Sequence, residues 1–269
     1  MSKKIGFIGC GNMGSAMVGG LIKSGFVTAD DIIVSTKTEA SSKKLEEEFK
    51  ITTTLDSRLV AKESETVILA VKPNMYKSIV EEVKNELTKD KLIITIAAGI
   101  EISDMEEWLG ENFKIIRTMP NTPALVGEAI SAVCPNKNVS EEGLQYCINI
   151  FESFGECEVL EEKYFDGFIA VAGSSPAYVF MFIEAMADGA VKLGIPRAKA
   201  YKMAAQSVLG SAKMVLDTGK HPGELKDMVC SPGGTTIDAV VELEKLGLRN
   251  SVIQAIDKCA EKSKKKKKK

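Results

Sequence analysis

The stretch Ile5-Gly6-Phe7-Ile8-Gly9-Cys10-Gly11-Asn12-Met13-Gly14 decides how the rest of the chain is read. A short apolar run ends at Ile8, and Gly9, Gly11 and Gly14 then set a G-x-G-x-x-G spacing that opens the helix-like segment 12–24. Gly9 permits a tight turn off the strand, Gly11 lets a pyrophosphate approach the backbone, and Gly14 lets helix and strand pack closely. The helix start offers free N–H groups and the positive end of its dipole to phosphate. Glycines so spaced can also serve packing alone. The setting favours a dinucleotide: a strand before, a helix after, and a βαβ series beginning here.

Working outward, strand-like runs at 32–35, 66–71, 92–96 and 114–118 alternate with helical patterns at 39–49, 75–87 and 103–109. Continuous apolar strands between helices indicate a parallel sheet covered on both faces. Runs at 129–134 and 157–160, around a helix at 140–154, add edge strands. From about Glu161 only helical patterns remain, at 165–172, 177–193, 197–218, 222–230, 235–246 and 249–262. The fold class is therefore α/β: a Rossmann-type doubly wound sheet over 1–160, an all-helical domain over 161–263, and a disordered lysine tail at 264–269. In 177–193 the charges Glu184, Asp188 and Lys192 fall on one stripe of an otherwise apolar cylinder. Such a helix must be buried, and a region this small covers it best with a second subunit. Burial against the chain's own first domain is the other reading.

Composition sets bounds. The chain has 269 residues, 45% of them hydrophobic, which fits two folded domains and not a disordered chain. The formal charge of −2 includes Lys264–Lys269, and without that run 29 basic stand against 37 acidic residues, or −8. An acidic body gives no electrostatic reason to expect nucleic acid. Six cysteines without a Cys-x-x-Cys pair, with His221 as the one histidine, exclude a Cys/His zinc site and fit free thiols in the cytoplasm. The uncharged run Ile5–Ile22 is too rich in glycine for a signal peptide, and Phe168–Ile183 is too short to span a membrane.

The end of the second strand reads Val34-Ser35-Thr36-Lys37, where an NAD site would place Asp or Glu. Hydroxyls and an ammonium suit a 2′-phosphate, so NADPH is favoured and NADH stays open; an ordinary solvated lysine also explains Lys37. Later strand ends, Ala70-Val71-Lys72-Pro73 and Ala97-Ala98-Gly99, should line the cofactor. Pro120 and Pro123 stiffen a loop in which Asn121 presents an amide to the ring or substrate, although a plain turn accounts for the same residues.

A second glycine-rich element, Ser231-Pro232-Gly233-Gly234-Thr235-Thr236, leads into a helix and suits a carboxylate; a Thr-capped turn between helices is the alternative. His221 reads as a surface residue at a helix start, with a proton donor or substrate contact as the alternative. With no catalytic triad or paired carboxylates, the chemistry must need little acid–base help. Hydride transfer to a protonated imine is such a reaction, whereas reducing a ketone normally wants a proton donor.

Taken together, these residues resemble the pyrroline-5-carboxylate reductase family over nearly the whole chain. The likeness is carried by Ile5–Gly14, Ala70–Pro73, Met119–Pro123, Ala172–Tyr178, His221–Leu225 and above all Val229–Ile237. It implies NAD(P)H-dependent reduction of L-1-pyrroline-5-carboxylate to L-proline, the last step of proline biosynthesis. It places cofactor at Ile8, Gly9, Gly11, Asn12, Met13, Gly14, Ser35, Thr36, Lys37, Ala70, Val71, Lys72, Pro73, Ala97, Ala98, Gly99 and Asn121. Substrate falls to Ser231, Gly233, Gly234, Thr235 and Thr236, with Thr236 positioning the ring nitrogen. Homodimers through the helical domain, and rings of five such dimers, are also implied. Where the family commonly reads Ser-Gly-Ser-Gly-Pro-Ala-Tyr, this chain has Ala172-Gly173-Ser174-Ser175 before Pro176, and where the family often has Asn at a ribose or adenine contact it has Asp56-Ser57. A β-hydroxyacid dehydrogenase is the enzymatic alternative, but 177–193 lacks an Asn and carries its one Lys at the end. A non-catalytic NADP-binding sensor is the other, and it leaves Ser231–Thr236 without a purpose.

Overall fold

A computed structural model describes residues 3–266. Strands β1 (Lys3–Ile8), β2 (Ile32–Ser35), β3 (Thr52–Thr54), β4 (Ser64–Leu69), β5 (Leu92–Thr95) and β6 (Lys114–Met119) run parallel in the order 3-2-1-4-5-6. Strand β7 (Ala129–Pro135) joins β6 antiparallel, and β8 (Gly155–Val159) closes that side parallel to β7. Helices α1 (Asn12–Lys23), α2 (Glu39–Phe49), α3 (Ser57–Glu63), α4 (Tyr76–Val83), α5 (Ile102–Leu109) and α6 (Glu141–Glu152) cover the two faces.

The strands are apolar on both sides because both sides are covered. Ile5, Phe7, Val34 and Ile94 pack with Met17 and Leu21 of α1, Leu45 of α2 and Phe151 of α6. Ile8, Ile33, Val67 and Ile93 form a second core with Val60 of α3, Val80 and Val83 of α4 and Met105 of α5. Successive residues of β5 thus serve opposite cores, as strand geometry requires. Two elements are absent from the sequence reading: β3, a polar triplet at the sheet edge, and α3, capped by the Asp56 carboxylate accepting from the Arg58 N–H at 2.9 Å. Strand β4 also ends at Leu69, two residues before the expected 66–71 run does, which frees Ala70 and Val71 for a loop.

After β8 the described chain is helical. One compact unit takes the chain through Gly173 and again from Cys259; the other is Ser174–Lys258. Helix α7 (Phe165–Phe168) continues into a π-helical turn, Ile169–Gly173. Then come α8 (Ser175–Lys192), α9 (Arg197–Thr218), α10 (Pro222–Val229), α11 (Thr235–Lys245) and α12 (Leu248–Lys266). Helix α12 corrects the expected start of a disordered tail at Lys264, because it keeps its turn through Lys266. Lysines complement the negative end of a helix dipole, and Ser263 Oγ donates to Asp166 Oδ1 at 2.7 Å to anchor the last turns. The remainder of that tail, 267–269, lies outside the described residues.

Within Ser174–Lys258 the side chains buried in α8 to α11 are few and mostly small: Ala187, Ala200, Ala204 and Leu225. Phe180 is 63% exposed, Met181 69% and Leu216 81%. The apolar helix is therefore not buried within its own unit. The helical stretch Glu162–Lys192 is by length and composition long and apolar enough to cross a membrane, unlike the shorter uncharged run inside it, because it reaches 31 residues.

Candidate active site

The glycine loop lies at the carboxyl ends of the parallel strands. Register aligns Ile8 with Ser35 on one side and with Leu69 on the other, and Leu69 in turn with Thr95. The Gly9 N–H donates to Ser35 O at 3.0 Å, and the Ala70 N–H to Ile8 O at 2.9 Å. The expected lining segments at Ile8–Gly14, Ser35–Lys37, Ala70–Pro73 and Ala97–Gly99 thus leave the sheet along one edge, as ligand sites in such sheets require.

Two observations test whether a dinucleotide fits. Gly9 has φ +81°, and a Cβ there would stand 2.6 Å from Val71 Cγ1, so the turn admits only glycine. Gly11 is exposed, with nothing within 4 Å of where a Cβ would stand, which leaves the loop open to a phosphate. It is also the N-cap of α1, with no side chain capping the helix and no acidic residue in the first turn. The first N–H groups of α1 therefore face no competing carboxylate. The residues fit the group.

The hydroxyls at the end of β2 are placed differently from the expectation that all three residues face a 2′-phosphate. Ser35 is 2% exposed, and its Oγ lies 3.2 Å from Ser57 Oγ. Thr36 Oγ1 donates to Thr38 O at 3.0 Å and lies 2.8 Å from Ser42 Oγ. Both hydroxyls are engaged within the protein, and Lys37 alone of the three is exposed.

Asn121 is likewise turned inward. Its amide donates to Ala172 O at 3.0 Å, and its oxygen accepts from the Ile130 N–H at 3.0 Å. The π-helical turn at 169–173 shifts the carbonyl pattern of the helix, and Asn121 supplies a donor to one of those carbonyls. The side chain braces the loop, which accords with the plain-turn alternative, and both of its polar atoms are engaged within the protein.

Sequence reasoning missed two supports. Tyr76, fully buried, donates to Leu69 O at 2.5 Å and accepts from the Ile96 N–H at 3.3 Å, tying together the strand ends that release Ala70–Pro73 and Ala97–Gly99. Burial pushes its phenol well above the ordinary value, so it stays a donor. Arg117 is 1% exposed in the middle of β6. Its Nη1 donates to Glu162 Oε1 at 2.8 Å, and its guanidinium lies 4.5 Å from the centre of the Phe165 ring. The same Glu162 oxygen accepts the Ile102 N–H at 2.9 Å. A charge inside Lys-Ile-Ile-Arg-Thr-Met was the available signal, since buried arginines need partners.

Cys10 sits inside the glycine loop. Burial pushes its thiol up to about 11, against the lowering effect of a hydrogen bond with Ser15, so it is a protonated and inert group at neutral pH.

In the second unit, Gly233 has φ +67° and turns the chain into α11. The Gly234 N–H donates to Ser231 O at 3.0 Å, and a Cβ on Gly234 would stand 2.4 Å from Ser231 Oγ, so the turn is closed over the serine. Gly234 caps α11 without a side-chain bond, and Ser231, Gly233 and Thr235 are exposed with Thr236 half-buried beside them. An anion can therefore reach both the first N–H groups of α11 and the threonine hydroxyls. His221, the N-cap of α10, accepts the Gly223 N–H on Nδ1 at 3.0 Å and is exposed, as expected of a helix-start residue.

Comparison with known proteins gives matches to both parts of the chain. Residues 162–266 match the family model described as pyrroline-5-carboxylate reductase dimerisation, and residues 4–99 match NADP oxidoreductase coenzyme F420-dependent. The chain is 53% identical to the pyrroline-5-carboxylate reductase of Escherichia coli over 98% of each protein. A solved pyrroline-5-carboxylate reductase from Coxiella burnetii superposes with a TM-score of 0.92, at 34% identity and 99% coverage of each chain. The Plasmodium falciparum pyrroline carboxylate reductase solved with NADP bound gives 0.89, at 33% identity and 98% coverage of each chain.

Proposed function

This chain belongs to the pyrroline-5-carboxylate reductase family and reduces pyrroline-5-carboxylate to proline; we propose that NADPH is its preferred reductant and that the start of α11 holds the substrate carboxylate. The observation that carries the preference is the end of β2, where an exposed Lys37 stands in place of the acid that would bind a free ribose. The cofactor supplies the hydride. In this reading Ile8, Gly9, Gly11, Asn12, Met13 and Gly14 hold the pyrophosphate, and Ala70–Pro73 with Ala97–Gly99 line the rest of the dinucleotide. Residues 1–160 hold cofactor, and 161–263 hold substrate and pair the subunits.

The chain's own contribution is binding and orientation. Ser231, Gly233, Gly234 and Thr235 receive the carboxylate, and Thr236 Oγ1 accepts the N–H of the protonated imine. That hydrogen bond fixes which face of the ring is presented, and placing the reactants supplies most of the rate enhancement. No side chain need donate a proton, since the substrate nitrogen already carries it. The thin acid–base inventory of the chain supports this reading. Proline biosynthesis is the use that follows, in the cytoplasm, where the six free thiols persist. The assembly is a homodimer through the helical unit, with a ring of five dimers as its larger form.

NADPH and NADH oxidation are compared on adding pyrroline-5-carboxylate, with keto- and hydroxy-acids as controls. The expected result is a kcat/KM for NADPH at least about tenfold above that for NADH, since one phosphate gains a charge-assisted contact. Equal values sink the preference. Thr236→Ala is expected to lower kcat/KM for the imine about 10- to 100-fold and leave NADPH affinity unchanged. Unaltered kinetics remove Thr236 from the site.

A further inference from the structure

The inward turn of the Ser35 and Thr36 hydroxyls leaves the proposed 2′-phosphate contact short of partners. A phosphate monoester carries close to two negative charges at neutral pH, and one exposed ammonium on a flexible stem holds it weakly. A second cation lies one residue along from a side chain that meets Ser35, through contacts that the linear order of the chain conceals. Ser35 aligns with Thr54 of β3, the Thr36 N–H donates to Thr54 O at 3.0 Å, and Ser35 Oγ meets Ser57 Oγ at 3.2 Å. The residue after Ser57 is Arg58, in the first turn of α3 and exposed. The adjoining Asp56 carboxylate accepts the Arg58 backbone N–H at 2.9 Å and caps α3. Neither Arg58 nor Lys37 takes part in an ion pair among the described residues.

We infer that Arg58 is the residue that sets the choice of dinucleotide, closing with Lys37 on the 2′-phosphate. The planar guanidinium offers a phosphate two parallel N–H donors, which an ammonium cannot. An unphosphorylated ribose offers that fork only neutral hydroxyl acceptors, without the charge and bidentate geometry of a phosphate, so Arg58 discriminates and does not merely attract. The inference rests on the NADPH reading above and adds the residue responsible for it.

The test is direct binding, without turnover. Wild type, Arg58→Gln and Lys37→Gln are titrated with NADPH and with NADH by calorimetry. Arg58→Gln keeps the backbone N–H that caps α3, and the side chain is exposed, so the fold is retained; the NADH titration checks this in the same experiment. Arg58→Gln is expected to raise the Kd for NADPH about tenfold and to leave that for NADH within about twofold, the size of one hydrogen bond to a charged group. Lys37→Gln is expected to act in the same direction and less strongly. A wild-type preference for NADPH that survives Arg58→Gln overturns the role of Arg58 alone. Equal wild-type affinity for the two dinucleotides overturns the preference itself, and Arg58's role with it. Parallel weakening of both dinucleotides by Arg58→Gln makes the residue a general support and also overturns the inference.

Discussion

Along β1 to β7 most of the large apolar side chains of the sheet, Ile5, Phe7, Val34, Ile68, Ile94 and Ile116 among them, are buried within the sheet's own unit. From α8 onward the same kind of side chain stands out of it, with Phe180, Met181, Met203, Leu216 and Ile253 more than half exposed. Apolar content therefore does not separate the two regions; what covers it does. A sheet with helices on both faces closes its core locally, whereas a helix that is apolar over most of its girth waits for a second copy. Exposed surface of this extent is what a subunit interface leaves on a single chain. The match of 162–266 to a dimerisation family model accords with that reading of the face.

The most severe way to break the comparison is to charge the exposed face. Phe180→Asp with Met181→Asp is expected to weaken dimerisation by about 4 kcal/mol or more, roughly a thousandfold in dissociation constant. Sedimentation equilibrium should then find monomer where the wild type is dimeric, with reductase activity falling in parallel. A variant that stays dimeric and active would show that the face is covered by something other than a second copy.

The converse experiment acts on the sheet. Arg117→Ala leaves the half-buried Glu162 without its ion-pair partner and removes the cation over Phe165, at a cost of about 2 kcal/mol. A urea midpoint measured at one fixed protein concentration reads this loss separately from any change in association. An unchanged midpoint would mean that the pair of Arg117 and Glu162 contributes no net stability, the known outcome where desolvation cancels attraction.

The smallest effect concerns Cys10. Because its thiol is raised, the reactive thiolate is scarce at neutral pH and grows only as the pH approaches about 11. Alkylation followed by mass spectrometry should leave Cys10 nearly unmodified at pH 7, with a rate that climbs steadily toward strongly alkaline pH. Rapid labelling at pH 7 would show a loop open enough to solvate the thiol.

Much of the fold was legible. Helix α9 spans 197–218 and α2 spans 39–49, as periodicity and capping indicate, because both begin and end on local signals. Strand β3 was not, since Thr52-Thr53-Thr54 carries no apolar alternation and becomes a strand only by pairing with β2. Helix α3 was missed because its one strong signal, Asp56 as N-cap, precedes only seven helical residues. That omission left Arg58 out of the residues expected to meet the cofactor. The lysine run was read as tail from its charge alone, although the helix carries through Lys266.

The sequence by itself determined where the turns and helix starts fall, and hence that Gly9–Gly14 and Ser231–Thr236 each turn the chain into a helix whose first N–H groups no side chain caps. Those features depend on backbone freedom and capping within a few residues, which spacing records. Only the tertiary structure decided which side chains are free to use them. Ser35 meets Ser57 across 22 residues and Asn121 meets Ala172 across 51, contacts that no local pattern encodes. A hydroxyl or amide can be counted from the sequence. Whether it faces a ligand or another part of the chain is settled by packing, because a buried polar group must find its partner wherever the fold brings one.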